Sequence, residues 1–225
     1  WISLFQSMIQ YICYYIGLSA TTGTKGAVLS GTQTFFALIF AHLFLKNDKL
    51  NRQKALGCVC GFAGVLVLGM GGLNGFNLLG DGLVLLSAVS AGAGALVSRI
   101  FTPGRDPMLL TGWQLLLGGL LLGGIGVAGG GRLGAVTLTG VLLLGYMIVL
   151  SAAAFTIWTA LLGKYPVGRV SLFCFLIPVF GAIFSALVLG ENIFTLRNLA
   201  ALALVSGGIA IANYVRGSKT GEKQA

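Results

Sequence analysis

Charge is what this chain has least of: Asp, Glu, Lys and Arg together make up 8% of its 225 residues, with five acids and a single histidine. So few charges cannot coat a soluble globule of this size. Asp48, Asp81, Asp106, Glu191 and Glu222 all fall in loops, near helix ends or in the tail. Together with one histidine they form no constellation for acid–base catalysis, and no cofactor or metal is expected. His42, three residues from a helix end, has an interfacial role rather than that of a proton relay. The four cysteines, Cys13, Cys58, Cys60 and Cys174, lie inside apolar segments, and the Cys58/Cys60 spacing sends the two thiols to different sides of a helix. They read as small packing residues rather than as a disulfide or metal pair. The net charge of +9 lacks a basic stripe interleaved with aromatics, so nucleic acid is not an expected partner. Residues 1–18 have neither the basic start nor the cleavage site of a signal peptide, and the chain is read as beginning inside a helix.

What is present is apolar. Hydrophobic residues reach 56%, mean hydropathy is +0.96, and 36 glycines lie within the apolar runs, where small residues let helices pack backbone to backbone in lipid. The expected solvent is a bilayer. Runs long enough to span it occupy 1–18, 26–45, 55–73, 78–98, 108–128, 136–162, 168–189 and 197–215, an all-α integral membrane fold of eight transmembrane helices. The breaks carry turn chemistry, as in "LKNDKLNRQK", "FTPGRDP" and "AGGGRLG". With eight crossings, Lys46, Lys49, Arg52, Lys54, Arg99, Arg105, Lys164, Arg169, Arg216, Lys219 and Lys223 share one side, and only Lys25, Arg132 and Arg197 the other. That asymmetry puts the C-terminus in the cytoplasm.

Shifted by 144 residues, 1–70 falls on 145–214 without a gap. Phe36, Ile39, Phe40, Leu43 and Leu45 then meet identical residues at Phe180, Ile183, Phe184, Leu187 and Leu189. The matched helices are an odd number of crossings apart, so the copies are inverted, an architecture of secondary transporters. The second copy has two helices, 78–98 and 108–128, ahead of its matched part. Symmetry therefore expects two more helices, about 70 residues, ahead of residue 1, for ten in all as two halves of five.

"YPVGRVSLFCFLIPVFGAIFSALVLGE" at 165–191, with "LAALALVSGGIAIANY" after it, resembles the closing part of the drug/metabolite transporter superfamily, EamA-like branch. "NLLGDGLVLLSA" and "GWQLLLGG" resemble the start of that family's second half. The resemblance implies a ten-helix inverted-repeat transporter with both termini cytoplasmic, exporting small metabolites or drugs across the cell's inner (plasma) membrane. On that reading 1–73 holds the last three helices of the first half, 74–215 the complete second half, and 216–225 a cytoplasmic tail. The alternatives are a non-transporting truncated membrane subunit and, less favoured, an integral-membrane enzyme.

Alternating access needs a cavity, so polar and aromatic residues inside spans are the candidates. Ser151, Phe155 and Trp158 share a helix face at i, i+4, i+7, and their counterparts in the first copy are Ser7, Tyr11 and Tyr14. The inverted recurrence makes these six candidates for two walls of one substrate cavity. Trp113 and Gln114 join them through the family's "WQ" pattern, whereas Gln10 and Gln33 are read as helix–helix bonds. Pro178 cannot donate to the carbonyl of Cys174, which leaves a mid-membrane acceptor beside a hinge. A proton-coupled carrier usually keeps an ionisable group within the membrane, and the spans read here offer none, which directs that search to the two absent helices. Partners are a small-molecule substrate and the lipid bilayer. The small-residue face of "GCVCG" at 57–61 suits association, as in a homodimer.

Overall fold

A computed structural model describes residues 1–21, 26, 29–46, 48–69, 77–131, 137–177, 180 and 196–213. Among these residues every regular element is helical. α1 (Gln10–Ser19) is preceded without a break by a π-helical stretch, Leu4–Ile9. α2 (Gln33–Phe44), α3 (Arg52–Gly69), α4 (Gly80–Phe101), α5 (Pro107–Ala128) and α6 (Leu138–Lys164) follow. α7 (Val167–Leu172) tightens into a 3-10 turn, Phe173–Phe175, and α8 is Leu196–Asn213. Half of the 168–189 run, Pro178 included, lies outside the described residues, as do the tail and the loops that hold Lys25 and Arg132.

Local chemistry accounts for the helix limits. α5 starts where Asp106 accepts the Met108 N–H at 2.8 Å with Pro107 in the first turn, and its chain reverses at Gly130, whose φ of 79° suits only glycine well. α6 starts on Thr137, whose hydroxyl accepts the Gly140 N–H at 3.1 Å. Among the described residues α4, α5 and α6 are long and apolar enough to cross a membrane, and α2 belongs to a shorter apolar helix, Leu29–Phe44. The chain is a membrane protein, and its outward surface fits that solvent. Trp113 is 56% exposed, Leu120 66% and Val149 70%, a coat that lipid rather than water favours.

Close packing holds the bundle together. α8 lies along α3, and α4 lies against both α1 and α2. A Cβ on Gly208 of α8 would sit 2.6 Å from the carbonyl oxygen of Gly57 and 2.7 Å from the nitrogen of Gly61, so only glycine permits that approach. The "GCVCG" face expected to serve association is therefore covered by α8 of the same chain. One buried cluster joins Leu38, Cys58, Val65, Leu172, Phe175 and Val205, and a second joins Ala37, Ala41, Ala95, Leu162, Val167 and Val170, flanked by Leu45 and Trp158.

Candidate functional site

The polar residues predicted for the cavity separate into three groups. Tyr11 and Tyr14, one helical turn apart on α1, border a cavity of about 170 Å³ together with Gln10, Ser30, Gln33, Ser87, Ala88 and Ala91. α1, the stretch leading into α2, and α4 each supply a wall. Gln10 Oε1 is buried there without a hydrogen-bond partner among the described residues. An unsatisfied amide oxygen in an apolar surround costs free energy until a donor reaches it. Ser87 turns its own hydroxyl back to the Val84 carbonyl, 2.7 Å away, and Ser30 does the same to Gly26 at 2.7 Å. Among the described residues the Gln10 amide oxygen is thus a buried open acceptor at this cavity.

Ser7 and Gln114 form the second group. Both are buried, and the Gln114 amide nitrogen approaches the Ser7 hydroxyl at 3.5 Å where α5 crosses the start of α1. Gly118 allows this crossing, since a Cβ there would lie 2.5 Å from the Ser7 Cβ. Gln114 Oε1 and Ser3 Oγ have no partner among the described residues. Trp113 points the other way, out of the helix bundle, and with Trp1, Phe101, Arg105 and Gln114 it borders a cavity of about 290 Å³ that opens outward.

Ser151, Phe155 and Trp158 are half-buried on α6 and border neither cavity. The Phe155 carbonyl lies 3.4 Å from the Thr111 hydroxyl, which also approaches the hydroxyl of Thr159 at 3.1 Å. Trp158 packs beside the Ala37, Ala41 and Ala95 cluster, with its indole Nε1 buried and without a partner among the described residues. Pro178 lies outside the described residues. The cavity residues that sequence reasoning assigned elsewhere are Gln10 and Gln33, and it had passed over Ser30 and Ser87. The signal was available, because both amides lie inside apolar runs.

Two buried carboxylates mark opposite ends of the helices. Asp81, at the start of α4, accepts the Thr21 hydroxyl and, at 2.8 Å, the Asn77 backbone N–H, tying the end of α1 to α4. Asp48, between α2 and α3, pairs with Lys54 at 2.5 Å and accepts the Gly168 backbone N–H at 3.0 Å.

A family model described as the EamA-like transporter family matches residues 1–70 and 78–214. The chain belongs to the EamA-like transporter family. Within this family it is 30% identical over 215 residues to a "WAT1-related protein, chloroplastic" of Arabidopsis thaliana, covering 90% of this chain and 51% of that protein. It is also 30% identical over 191 residues to a "probable amino-acid metabolite efflux pump" of Salmonella typhimurium, covering 80% of this chain and 63% of that protein. The chain thus spans about half to two thirds of the length of these relatives. A solved crystal structure shares the fold at a TM-score of 0.78 and 20% identity, covering 93% of this chain and 74% of that one.

Proposed function

We propose that this EamA-like chain forms most of a multi-pass carrier that exports small metabolites or drugs by alternating access, with a proton gradient as one candidate driving force. In this reading 1–73 are the last three helices of a first half, 74–215 a complete second half and 216–225 a cytoplasmic tail, in the cell's inner membrane with the C-terminus inside. The family supports export, and the description of the Salmonella relative directs the substrate search to amino-acid metabolites. No enzymatic step is part of the reading.

The observation that carries it is the polar cavity with the Gln10 amide oxygen, buried and without a partner among the described residues, which offers a solute a hydrogen-bond acceptor. The inverted repeat gains support from a second feature. α4 covers α1 and α2, and α5 covers the π-helical stretch Leu4–Ile9 ahead of α1. In the inverted copy α6 is the counterpart of α1, and the 168–189 run that α7 opens is the counterpart of the 26–45 run that holds α2, so two preceding helices would cover them in turn. Residues 138–150 of α6 are exposed on every side, as a seat for such helices requires. A homodimer would join through a surface other than the Gly57 and Gly61 face, which α8 already covers.

Reconstituted vesicles test the proposal. Efflux of amino-acid metabolites by the native protein, lost when the inner-membrane gradient is collapsed, is the expected result. Efflux with two upstream helices present and none by residues 1–225 alone would favour a truncated, non-transporting subunit for the shorter chain. No transport of any tested metabolite or drug by the native protein would overturn the carrier reading.

A further inference from the structure

Two columns of side chains descend from the polar cavity to the end of the bundle that bears Asp48. On α2, Gln33, Ala37, Ala41 and then Leu45 follow at four-residue spacing and stack on one face, about 6 Å per step. Ala91, Ala95 and Arg99 do the same on α4. Their upper members, Gln33 and Ala91, border the polar cavity. Their middle members, Ala37, Ala41 and Ala95, are buried with Leu162, Val167 and Val170 in an apolar cluster. Their lower members, Leu45 and Arg99, border a separate space of about 150 Å³ with Lys46, Asp48 and Pro166. Cavity, apolar plug and polar floor therefore lie in that order along the helices.

The floor grips one short piece of chain, the junction between α6 and α7, from two sides. Arg99 Nη1 donates to the carbonyl oxygens of Leu162 at 3.0 Å and Gly163 at 2.8 Å, in the last turn of α6. Asp48 accepts the Gly168 N–H through one oxygen and holds Lys54 Nζ through the other. Lys54 Nζ also donates to the Lys49 carbonyl at 3.0 Å, and the loop is stapled further by the Leu50 N–H to His42 Nδ1, 3.1 Å. Asp48 is 4% exposed and Lys54 8%. Gly168 makes the contact available, since a Cβ there would lie 2.8 Å from Leu38 Cδ2.

The Asp48 loop belongs to the first matched segment of the family and Gly168 to the second. An ion pair taken this far out of water adds little net stability, because desolvation offsets its attraction. It does make the contact all-or-none: once α7 leaves the loop, both charges return to water together.

We propose that Asp48, Lys54 and the Gly168 N–H are the latch of a gate, and that the plug of Ala37, Ala41, Ala95, Leu162, Val167 and Val170 is its seal, closing the polar cavity on the face that bears Asp48. The proposal rests on the carrier reading. Opening on this face parts α7 from the α2–α3 loop, exposes the Asp48 and Lys54 charges and gives the solute a path past Trp158.

Accessibility from each face tests the latch. In the native full-length protein, with every native cysteine replaced by alanine, the four of this chain among them, Ser87→Cys puts a reporter thiol at the cavity wall. A membrane-impermeant maleimide is then applied separately to each face of sealed vesicles. Asp48→Asn keeps an oxygen for Gly168 but removes the charge that holds Lys54, and Gly168→Ala keeps the ion pair but wedges α7 away. Both variants are expected to raise labelling several-fold from the Asp48-bearing face and to lower it from the other, while Lys54→Arg labels like the starting protein. If the thiol is labelled but neither variant changes its rate, or both raise it equally from both faces, the latch is wrong and the carrier reading stands. Labelling from neither face in any variant would overturn the cavity and the latch together.

Discussion

The hydroxyl of Thr34 donates to the carbonyl oxygen of Ser171 across 3.0 Å, in a place where both residues are buried. The two lie 137 residues apart, Thr34 on α2 and Ser171 at the point where α7 tightens toward its 3-10 turn. The bond ties the two matched segments of the family together next to the Leu38, Leu172 and Phe175 cluster.

Thr34→Val keeps the shape of the side chain and removes the donor. The expected cost is about 1 kcal/mol of unfolding free energy, the usual value for one lost hydrogen bond. Thr34→Ser should retain most of it. Reversible unfolding in detergent micelles measures both, and a Val variant as stable as the parent would show that the Ser171 carbonyl finds another donor.

Gly208→Ala on α8 should cost about 1–3 kcal/mol, since its new Cβ meets the backbone of Gly57 and Gly61, which cannot yield as a side chain can. Gly123→Ala on α5 has nothing within 4 Å and should be neutral or slightly stabilising. Thermal denaturation of the two variants side by side is the check. Equal melting temperatures would contradict the backbone-to-backbone crossing of α3 and α8.

Asp81→Ala strands the Thr21 hydroxyl and the Asn77 N–H at the α1–α4 contact. A destabilisation of about 1–2 kcal/mol is expected from the loss of two part-buried hydrogen bonds. Asp81→Asn, which retains an acceptor oxygen, should lose less. Protease susceptibility of the stretch after Ser19 reports the loosened end directly.

Gln10→Leu and Tyr14→Ala alter the walls of the polar cavity, whereas Trp113→Ala alters an exposed side chain. Efflux by the native protein should fall about tenfold or more in the first two and change little in the third, a difference of about 1.4 kcal/mol or more in the transport barrier. Trp158→Ala and Gln114→Ala are expected to lose efflux with membrane insertion intact. Normal efflux in Gln10→Leu would remove the cavity from the transport path.

The apolar runs and their breaks were legible because a bilayer forces each spanning backbone to satisfy its own hydrogen bonds, which makes helix placement a local matter. Asp106–Pro107 and Thr137 announce the starts of α5 and α6 within a residue or two of where they occur. The family, too, was legible in contiguous stretches such as "GWQLLLGG" and "YPVGRVSLFCFLIPVF".

Neighbourhood was not. Periodicity puts Ser7 and Tyr11 on one helix face but does not say what that face meets. Ser7 turns out to face Gln114, 107 residues away, and Tyr11 shares a cavity with Gln33 and Ser87. Asp48 read as a loop acid from sequence, and only the approach of Gly168 and Lys54 makes it a buried junction between two segments. Residues close along the chain carried the apolar solvent, the all-helical class and the family. The tertiary structure decided which polar groups meet, since that depends on how the helices cross and on the glycines that let them come close.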